Sequence, residues 1–409
     1  MMTLLYISVL CGIFFISNDL SLTHVILLFF GVTIKSISQY KKQNQILSLS
    51  SVIPPLSMLY YTLFSAYFLL GGDRIMDLEK NSVNTAFFNF VLFLVIFELS
   101  VLFATFTKFN LPSFSGIPNF DNNFIWYLIL AAFLLLYLPA LILADPNIGK
   151  EARMVSGTSI FQSFIGGTLL PYAVIQIGYM KANKKLNLPL FSMLLTVGIF
   201  AYFRMGERDV FIYPLVITFL IYTYFSPISL KKLIGFVVSL LIIFYFLGLQ
   251  RSLSEGIDRK ATSVLQIIQE NEFISTGRNF AFLMDKKESQ QTIIYDISYS
   301  FFLNLGDTGV TWFGDKYYEN KGLGIISEFY INFGRFAPLA LFVLFYILNF
   351  QFKLRNASNL KLAVSSVVFL SILYALRSDL ASISNGYVRK ILIPLFLYYM
   401  IFLLCPKRN

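Results

Sequence analysis

Arginines recur close to the ends of apolar stretches, and they are the residues with the clearest chemical use in this sequence. They are Arg204, Arg208, Arg251, Arg278, Arg335, Arg377 and Arg389. A guanidinium group keeps its charge at any working pH and binds phosphate oxygens through two parallel hydrogen bonds. The set therefore predicts a phosphate-binding surface. Each arginine taken singly is equally well explained as a membrane-surface anchor, or as the partner of an acid such as Asp209 or Asp379.

A second polar pattern lies in the stretch from Gly322 to Arg335. Glu328, Asn332 and Arg335 are spaced i, i+4 and i+7, so a helix would carry them as one stripe. A carboxylate within an apolar helix is costly and is a functional candidate. Glu328 could orient or deprotonate a substrate hydroxyl, or it could brace the bundle by pairing with Arg335. Glu98, inside another apolar run, is interpreted as a structural hydrogen-bonding group.

Several kinds of catalytic site are disfavoured by the residues that the sequence lacks. The single histidine is His24, and the predicted outer loops contain no Asp-x-Asp pair. There is no Walker loop and no dinucleotide-binding glycine motif. Cys11 and Cys405 lie in apolar runs near opposite ends of the chain, which favours neither a disulfide nor a metal pair. We expect no metal site and no cofactor.

The elements that must position these residues are apolar helices. Of 409 residues, 57% are hydrophobic and 13% are charged, and the mean hydropathy is +0.70. A soluble domain has about 25% charged residues, and a spanning helix needs about 20 apolar residues. The fold class predicted is all-α, a polytopic membrane helical bundle of about twelve helices forming one integral membrane domain over 1–409. The predicted spans are 2–17, 20–34, 46–70, 86–106, 124–144, 158–180, 188–203, 210–225, 233–249, 323–350, 362–376 and 391–405.

The distribution of charge predicts how the helices are oriented. If the N-terminus is cytoplasmic, the short inner loops contain mainly lysines, including Lys35, Lys108, Lys184 and Lys231, whereas the outer loops are mixed. This is the positive-inside pattern, and it places both termini in the cytoplasm. The net charge of +10 is then a topology signal and not a sign of nucleic-acid binding.

One connection is much longer than the others. Residues 250–322, between the ninth and tenth predicted helices, form a large outer, periplasmic segment. Long connections in compact folds usually have a function. The segment is rich in aromatic residues such as Tyr299 and Trp312, which fit an interfacial belt better than a sugar-stacking surface.

The chain resembles the Wzy-type polymerases of O-antigen and capsule repeat units. The layout of many helices with one large, late outer loop is similar. So are the short Arg204–Arg208 connection, the stretch from Gly322 to Gly334, and Arg377 after the penultimate helix.

The resemblance implies a metal-independent glycosyltransferase of the bacterial inner membrane. Its substrates would be oligosaccharides linked to undecaprenyl diphosphate, and the growing glycan would pass to a new repeat unit at the periplasmic face. It implies catalytic roles for Arg204, Arg208, Arg278 and Glu328. Substrate contacts are implied for Arg251, Asn332, Arg335, Arg377 and Arg389. A Wzz-type chain-length co-polymerase is the implied partner.

Two alternatives stay open. A flippase or other transporter of lipid-linked oligosaccharides is the rival from a different class, since transporters often carry charges at the membrane midplane, as Glu98 would be. An O-antigen ligase would use the same leaving group. It resembles the chain less well because residues 250–322 contain no histidine.

Overall fold

A computed structural model of the chain describes most of its residues. They are 2–16, 19–43, 48–71, 78–107, 120, 122–143, 164–205, 208–226, 228–236, 238–239, 272–286, 289–303, 305–317, 323–354 and 357–404. Throughout these residues the regular structure is helical, without strands. The predicted all-α class is confirmed for this part of the chain.

The helices of the N-terminal half are long and apolar, because uninterrupted Leu, Ile, Val and Phe runs favour burial in hydrocarbon. They are α1 (Met2–Ile16), α2 (Leu22–Gln43), α3 (Leu49–Leu69), α4 (Lys80–Phe106), α5 (Asn123–Leu143), α6 (Leu169–Asn183), α7 (Leu188–Met205) and α8 (Arg208–Phe225). A 3₁₀ turn at Phe164–Thr168 leads directly into α6.

The C-terminal half mixes short and long helices. They are α9 (Glu272–Lys286), α10 (Ile293–Ser300), α11 (Gly309–Tyr317), α12 (Ile325–Phe333), α13 (Ala337–Gln351), α14 (Asn359–Ala375), α15 (Ala381–Tyr387) and α16 (Ile393–Leu404). A 3₁₀ turn at Gly334–Phe336 joins α12 to α13, and a π-helical turn at Val388–Leu392 joins α15 to α16.

Seven helices of the described chain are long and apolar enough to cross a membrane. They are Leu22–Lys41, Leu49–Leu69, Lys80–Phe106, Asn123–Leu143, Leu188–Met205, Ile325–Gln351 and Ala381–Leu404. The last two include the turns between their component helices, and Asp209–Phe225 and Asn359–Ala375 are shorter apolar helices. The chain is therefore a membrane protein by the length and composition of its helices.

The chain divides into two compact units. The first comprises Met1–Ser113, Ser263–Lys353 and Ser371–Asn385, and the second comprises Phe114–Thr262, Leu354–Leu370 and Gly386–Asn409. Each unit has its own core.

In the first unit, α9 packs against α3 and α4 through aromatic contacts. Tyr61 on α3 stacks on Phe90 of α4, with ring centroids 5.6 Å apart, and meets Phe280 of α9 edge-on at 5.5 Å. Phe97 of α4 meets Phe345 of α13 at 5.2 Å. Such pairs add about 0.5–1.5 kcal/mol each beyond the burial of their area. They fix the positions of the helices that carry the candidate site.

In the second unit, α7 and α8 approach closely at Gly198. A Cβ atom there would lie 2.6 Å from the Cα atom of Phe211, so a larger residue would push the helices apart. Trp126 of α5 and Tyr398 of α16 are fully buried, with ring centroids 4.6 Å apart. These contacts join the ends of a discontinuous unit.

Two sequence expectations are corrected. The predicted stripe through Glu328, Asn332 and Arg335 is interrupted, because α12 ends at Phe333 and Gly334 adopts a φ of +52°. Lys35, predicted to lie in a cytoplasmic loop, is instead inside α2, buried and paired with Glu98 of α4. The sequence offered no partner for Glu98 because the two residues are distant in the chain.

Candidate carboxylate site

Three buried acids, contributed by three separate segments, meet in the first unit. We call Asp296 of α10, Glu328 of α12 and Asp379, which lies just before α15, the carboxylate cluster. Asp296 and Glu328 are fully buried and Asp379 is nearly so. Acids are rarely buried so completely unless they are paired, and perturbed buried acids are often functional. The cluster is the strongest candidate functional site among the described residues.

Glu328 is held at both of its carboxylate oxygens. Its Oε1 accepts a hydrogen bond from the hydroxyl of Thr292 at 2.9 Å, and its Oε2 accepts one from the backbone N–H of Leu380 at 2.6 Å. These bonds tie α12 to the segments that precede α10 and α15. Glu328 therefore contacts two neighbouring segments, and not Arg335, with which the sequence allowed it to form a brace.

The two aspartates are also held by neutral donors. Oδ1 of Asp296 accepts a hydrogen bond from the N–H of Gly309 at 3.0 Å. Oδ2 of Asp379 accepts one from the N–H of Val310 at 3.4 Å, and its Oδ1 accepts bonds from the hydroxyls of Ser378 at 3.3 Å and Ser382 at 3.4 Å. The start of α11 thus supplies a backbone N–H to each aspartate.

Burial and mutual repulsion set the protonation of the cluster. Burial, followed by the adjoining Glu328 carboxyl and the charge of Asp379, raises the pKa of Asp296 well above its usual range. Burial, and then the charge of Glu328, raises the pKa of Asp379 to about 7. Both effects disfavour the ionised form of a carboxyl group. Burial and repulsion therefore favour a protonated acid in the cluster at neutral pH.

The local fold around Glu328 depends on a glycine and a tyrosine. Gly324 precedes α12 with a φ of +80°, and a Cβ atom there would collide with the hydroxyl of Tyr61. That hydroxyl accepts a hydrogen bond from the N–H of Ile326 at 3.2 Å and donates one to the carbonyl of Leu376, also at 3.2 Å. Tyr61 thereby fixes the start of α12 against the turn that leads to Asp379.

Asn332, predicted to bind substrate, caps α10. Its Oδ1 accepts hydrogen bonds from the N–H groups of Thr292 at 2.8 Å and Ile293 at 3.2 Å. Its Nδ2 donates to the Thr292 hydroxyl at 3.0 Å and to the Glu328 carbonyl at 2.9 Å. The first N–H groups of a helix need such acceptors. Asn332 positions Thr292, which in turn binds Glu328.

The predicted arginines of the first unit differ in exposure. Arg278 is buried on α9, beside Ser275 and Asn279, which are also buried. Arg377 is half-buried and lies over the ring of Tyr374, with its Cζ 4.5 Å from the ring centroid. Arg335 is exposed on the 3₁₀ turn after α12. Arg377 is two residues from Asp379, so it belongs to the same segment as one acid of the cluster.

The other predicted residues belong to the second unit. Arg204 is exposed in the last turn of α7, and Arg208 is the first residue of α8. Arg389 is half-buried on the π-helical turn, next to Lys390, whose Nζ lies 4.8 Å from the ring centroid of Tyr213. π-helical turns are frequent at functional sites. Arg251 lies outside the described residues.

Sequence reasoning missed Asp296 and Asp379. Asp296 stands between Tyr295 and Ile297 in an apolar stretch, which is a signal that an acid is buried. Asp379 follows directly after Arg377 and Ser378, and its sequence environment is that of a solvated turn. Tertiary hydrogen bonds, from Leu380 to Glu328 and from Val310 to Asp379, bring it into the cluster.

Comparison with known proteins does not identify a class for this chain. No protein-family model, curated protein or solved structure matches this sequence. Within the described residues, no three His, Cys, Asp or Glu side chains are arranged to hold a metal ion. Fold and site together define an all-helical membrane protein that buries a cluster of carboxyl groups.

Proposed function

We propose that this chain is a glycosyltransferase that polymerises lipid-linked oligosaccharide repeat units in a bacterial inner membrane. The proposal rests first on the apolar helices, which suit a substrate with a polyprenyl tail. The observation that carries it is the buried Glu328, fixed at both oxygens in the same unit as the buried Arg278. A held carboxylate can accept the proton of an attacking hydroxyl, and a guanidinium can neutralise the charge that develops on a diphosphate leaving group.

The proposed reaction forms one glycosidic bond and breaks one bond to phosphate. A hydroxyl oxygen of the new repeat unit attacks the anomeric carbon of the growing glycan. The bond between that carbon and the diphosphate oxygen breaks, and its electron pair leaves with polyprenyl diphosphate. The hydroxyl proton passes to a carboxylate, for which Glu328 is the candidate. Arginine is suited to neutralise the charge that develops on the leaving group.

Arg278 and Arg377, in the first unit, are the arginines that the proposal assigns to the diphosphate. Arg204 and Arg208, with the substrate contacts Arg251, Arg335 and Arg389, are proposed on the resemblance alone. The full proposal includes about twelve membrane spans, each about 20 residues long, and cytoplasmic termini. It also includes a periplasmic segment over 250–322 and a Wzz-type co-polymerase as partner.

A second candidate function is transport of a lipid-linked oligosaccharide across the membrane. It is favoured by the buried ion pair between Lys35 of α2 and Glu98 of α4, both within helices that qualify as membrane spans. Charges inside membrane segments are expensive and often mark transport pathways. The same pair also has a structural explanation, because Lys35 donates a hydrogen bond to the carbonyl of Ser50 at 3.1 Å and so joins α2 to α3 as well.

The two functions predict different surface polysaccharides in a strain that lacks the chain. The polysaccharides are compared on a silver-stained gel. Complementation with Glu328→Gln or Arg278→Ala, at matched membrane levels, should leave a single repeat unit on the lipid core and no ladder. Loss of a general base lowers rates by about 10²–10⁴-fold, which is enough to abolish long chains. Glu79→Gln and Lys286→Ala, at exposed positions of the same unit, should restore the ladder.

The outcome in the deletion strain decides between the functions. Retention of the single repeat unit without a ladder supports polymerisation. Loss of even the single unit would favour transport or ligation over polymerisation. An unchanged ladder would refute any role of the chain in making this polysaccharide.

A further inference from the structure

The carboxylate cluster contains an oxygen whose hydrogen bonding is incomplete. Oδ2 of Asp296 is fully buried and accepts no hydrogen bond from an N–H or O–H donor of the described chain. The carboxyl groups of Asp296 and Glu328 both lie against Gly309, so the two acids are close neighbours. Two ionised carboxylates have no hydrogen to place between them, whereas a carboxylic acid can donate one to a carboxylate.

The backbone at Gly309 lies against both acids. Its N–H binds Oδ1 of Asp296, and a Cβ atom on the same residue would lie 2.7 Å from Oε1 of Glu328. The two side chains are therefore pressed against one glycine from two helices. Glycine is the residue that permits this approach, because any side chain at position 309 would occupy the space of the Glu328 carboxylate.

The groups that face this pair come from the elements packed around it. Asp379, before α15, and the hydroxyl of Tyr61, on α3, are within electrostatic range. The start of α11 contributes neutral N–H groups, and Thr292 contributes a neutral hydroxyl. The described contacts of the three carboxyls thus come from neutral donors, and like charges in contact cannot all remain ionised.

We propose that Asp296 and Glu328 form a proton-binding site in which the two carboxyl groups share one proton. Asp296 is then a positioning residue for Glu328, and Asp379 is the third acid that keeps the proton in place. In the proposed polymerase reaction, on which this part of the inference rests, the pair and not Glu328 alone accepts the proton of the attacking hydroxyl. Two carboxyl groups in contact share one proton because both cannot be ionised together.

The shared proton is detectable by infrared spectroscopy, independently of any enzymatic activity. The purified chain in lipid nanodiscs should show, at neutral pH, the carbonyl stretch of a protonated carboxyl, and this band should shift in heavy water. Asp296→Asn keeps the shape of the protonated acid and should remove or shift the band. Asp285→Asn is the control, because Asp285 accepts a hydrogen bond from Ser82 at 2.6 Å and is partly exposed.

The pH dependence of thermal unfolding gives a second test of the same site. An acid whose pKa is raised by folding stabilises the protein at low pH, and this contribution is lost as the pH rises through the folded value. For Asp379 the window runs from its ordinary value of about 3.9 up through about 7. The wild-type melting temperature should fall as the pH rises through this window, and less so in Asp296→Asn.

The outcomes separate this inference from the proposed function. An identical infrared spectrum in wild type and Asp296→Asn, or a melting temperature that rises with pH across the window, would overturn the shared proton. A changed spectrum in a protein without polymerase activity would leave the proton site standing and refute the polymerase. A pH–rate profile that shifts in Asp296→Asn would link the two.

Discussion

The ion pair between Lys35 and Glu98 places two charges where water is excluded. Both side chains are almost completely buried, and the Nζ of Lys35 also lies 5.4 Å from the ring centroid of Tyr6. A buried pair contributes little net stability, but removing one partner leaves an uncompensated charge. The pair therefore shows that this core accommodates two charges when they are matched. It is not a main source of the stability of the fold.

Glu98→Gln should destabilise the protein by about 3–5 kcal/mol, because Lys35 is then buried without a counter-charge. The double variant Lys35→Met with Glu98→Gln should recover most of this loss. Thermal unfolding of the purified protein in detergent measures both. A double variant as unstable as the sum of the single variants would contradict the ion-pair explanation. A stable double variant that fails to restore the polysaccharide would favour the transport function.

At this scale the sequence predicted some residues and missed others for physical reasons. Glu328 was recognised because an acid inside an apolar run is costly wherever it lies. Asp296 and Asp379 were missed, since their importance comes from contacts between segments that are 83 residues apart in the chain (379 − 296). Pairings of this kind, like that of Lys35 with Glu98, are not encoded in local patterns.

Among the elements, α12 and α13 show how one glycine can separate residues that the sequence pattern places on one helix face. Gly334 has a φ of +52° and a ψ of −124°, the conformation of the first central residue of a type II′ turn. The hydropathy of residues 323–350 predicts one continuous helix, because hydropathy carries no information about backbone conformation. The break moves Arg335 away from the face that carries Glu328 and Asn332.

Gly334→Ala should therefore lower stability by about 1–3 kcal/mol through backbone strain alone. No atom lies within 4 Å of the position that its Cβ would occupy, so steric clash does not contribute. Gly235→Ala is the matched control, since it also has open space but no positive φ and should be neutral. Melting temperatures of the two variants make the comparison, and equal effects would refute strain at Gly334.

Long apolar helices were predicted well, and helices of mixed composition were not. The predicted spans 124–144 and 188–203 agree with Asn123–Leu143 and Leu188–Met205 to within two residues. By contrast, α9 was not predicted, because it buries Ser275, Thr276 and Asn279 as well as apolar residues. A helix that buries polar groups through tertiary contacts has no clear apolar periodicity.

At the scale of the whole molecule, the residues that the resemblance assigns to one site belong to two different compact units. Arg278, Glu328, Asn332, Arg335 and Arg377 belong to the first unit, and Arg204, Arg208 and Arg389 belong to the second. The fold class followed from composition alone, since an aqueous fold cannot bury so many apolar residues with so few charges. The function did not follow from composition, because apolar helical bundles serve transport and catalysis alike.

The most direct test of the central claim is reconstitution of the purified chain in proteoliposomes with a polyprenyl-diphosphate-linked oligosaccharide as the only substrate. Glycan length and released polyprenyl diphosphate are measured together. The proposed function predicts longer lipid-linked glycans, one lipid diphosphate released for each bond formed, and loss of both in Glu328→Gln. Movement of the substrate across the bilayer without any lengthening would contradict the polymerase and establish a transporter.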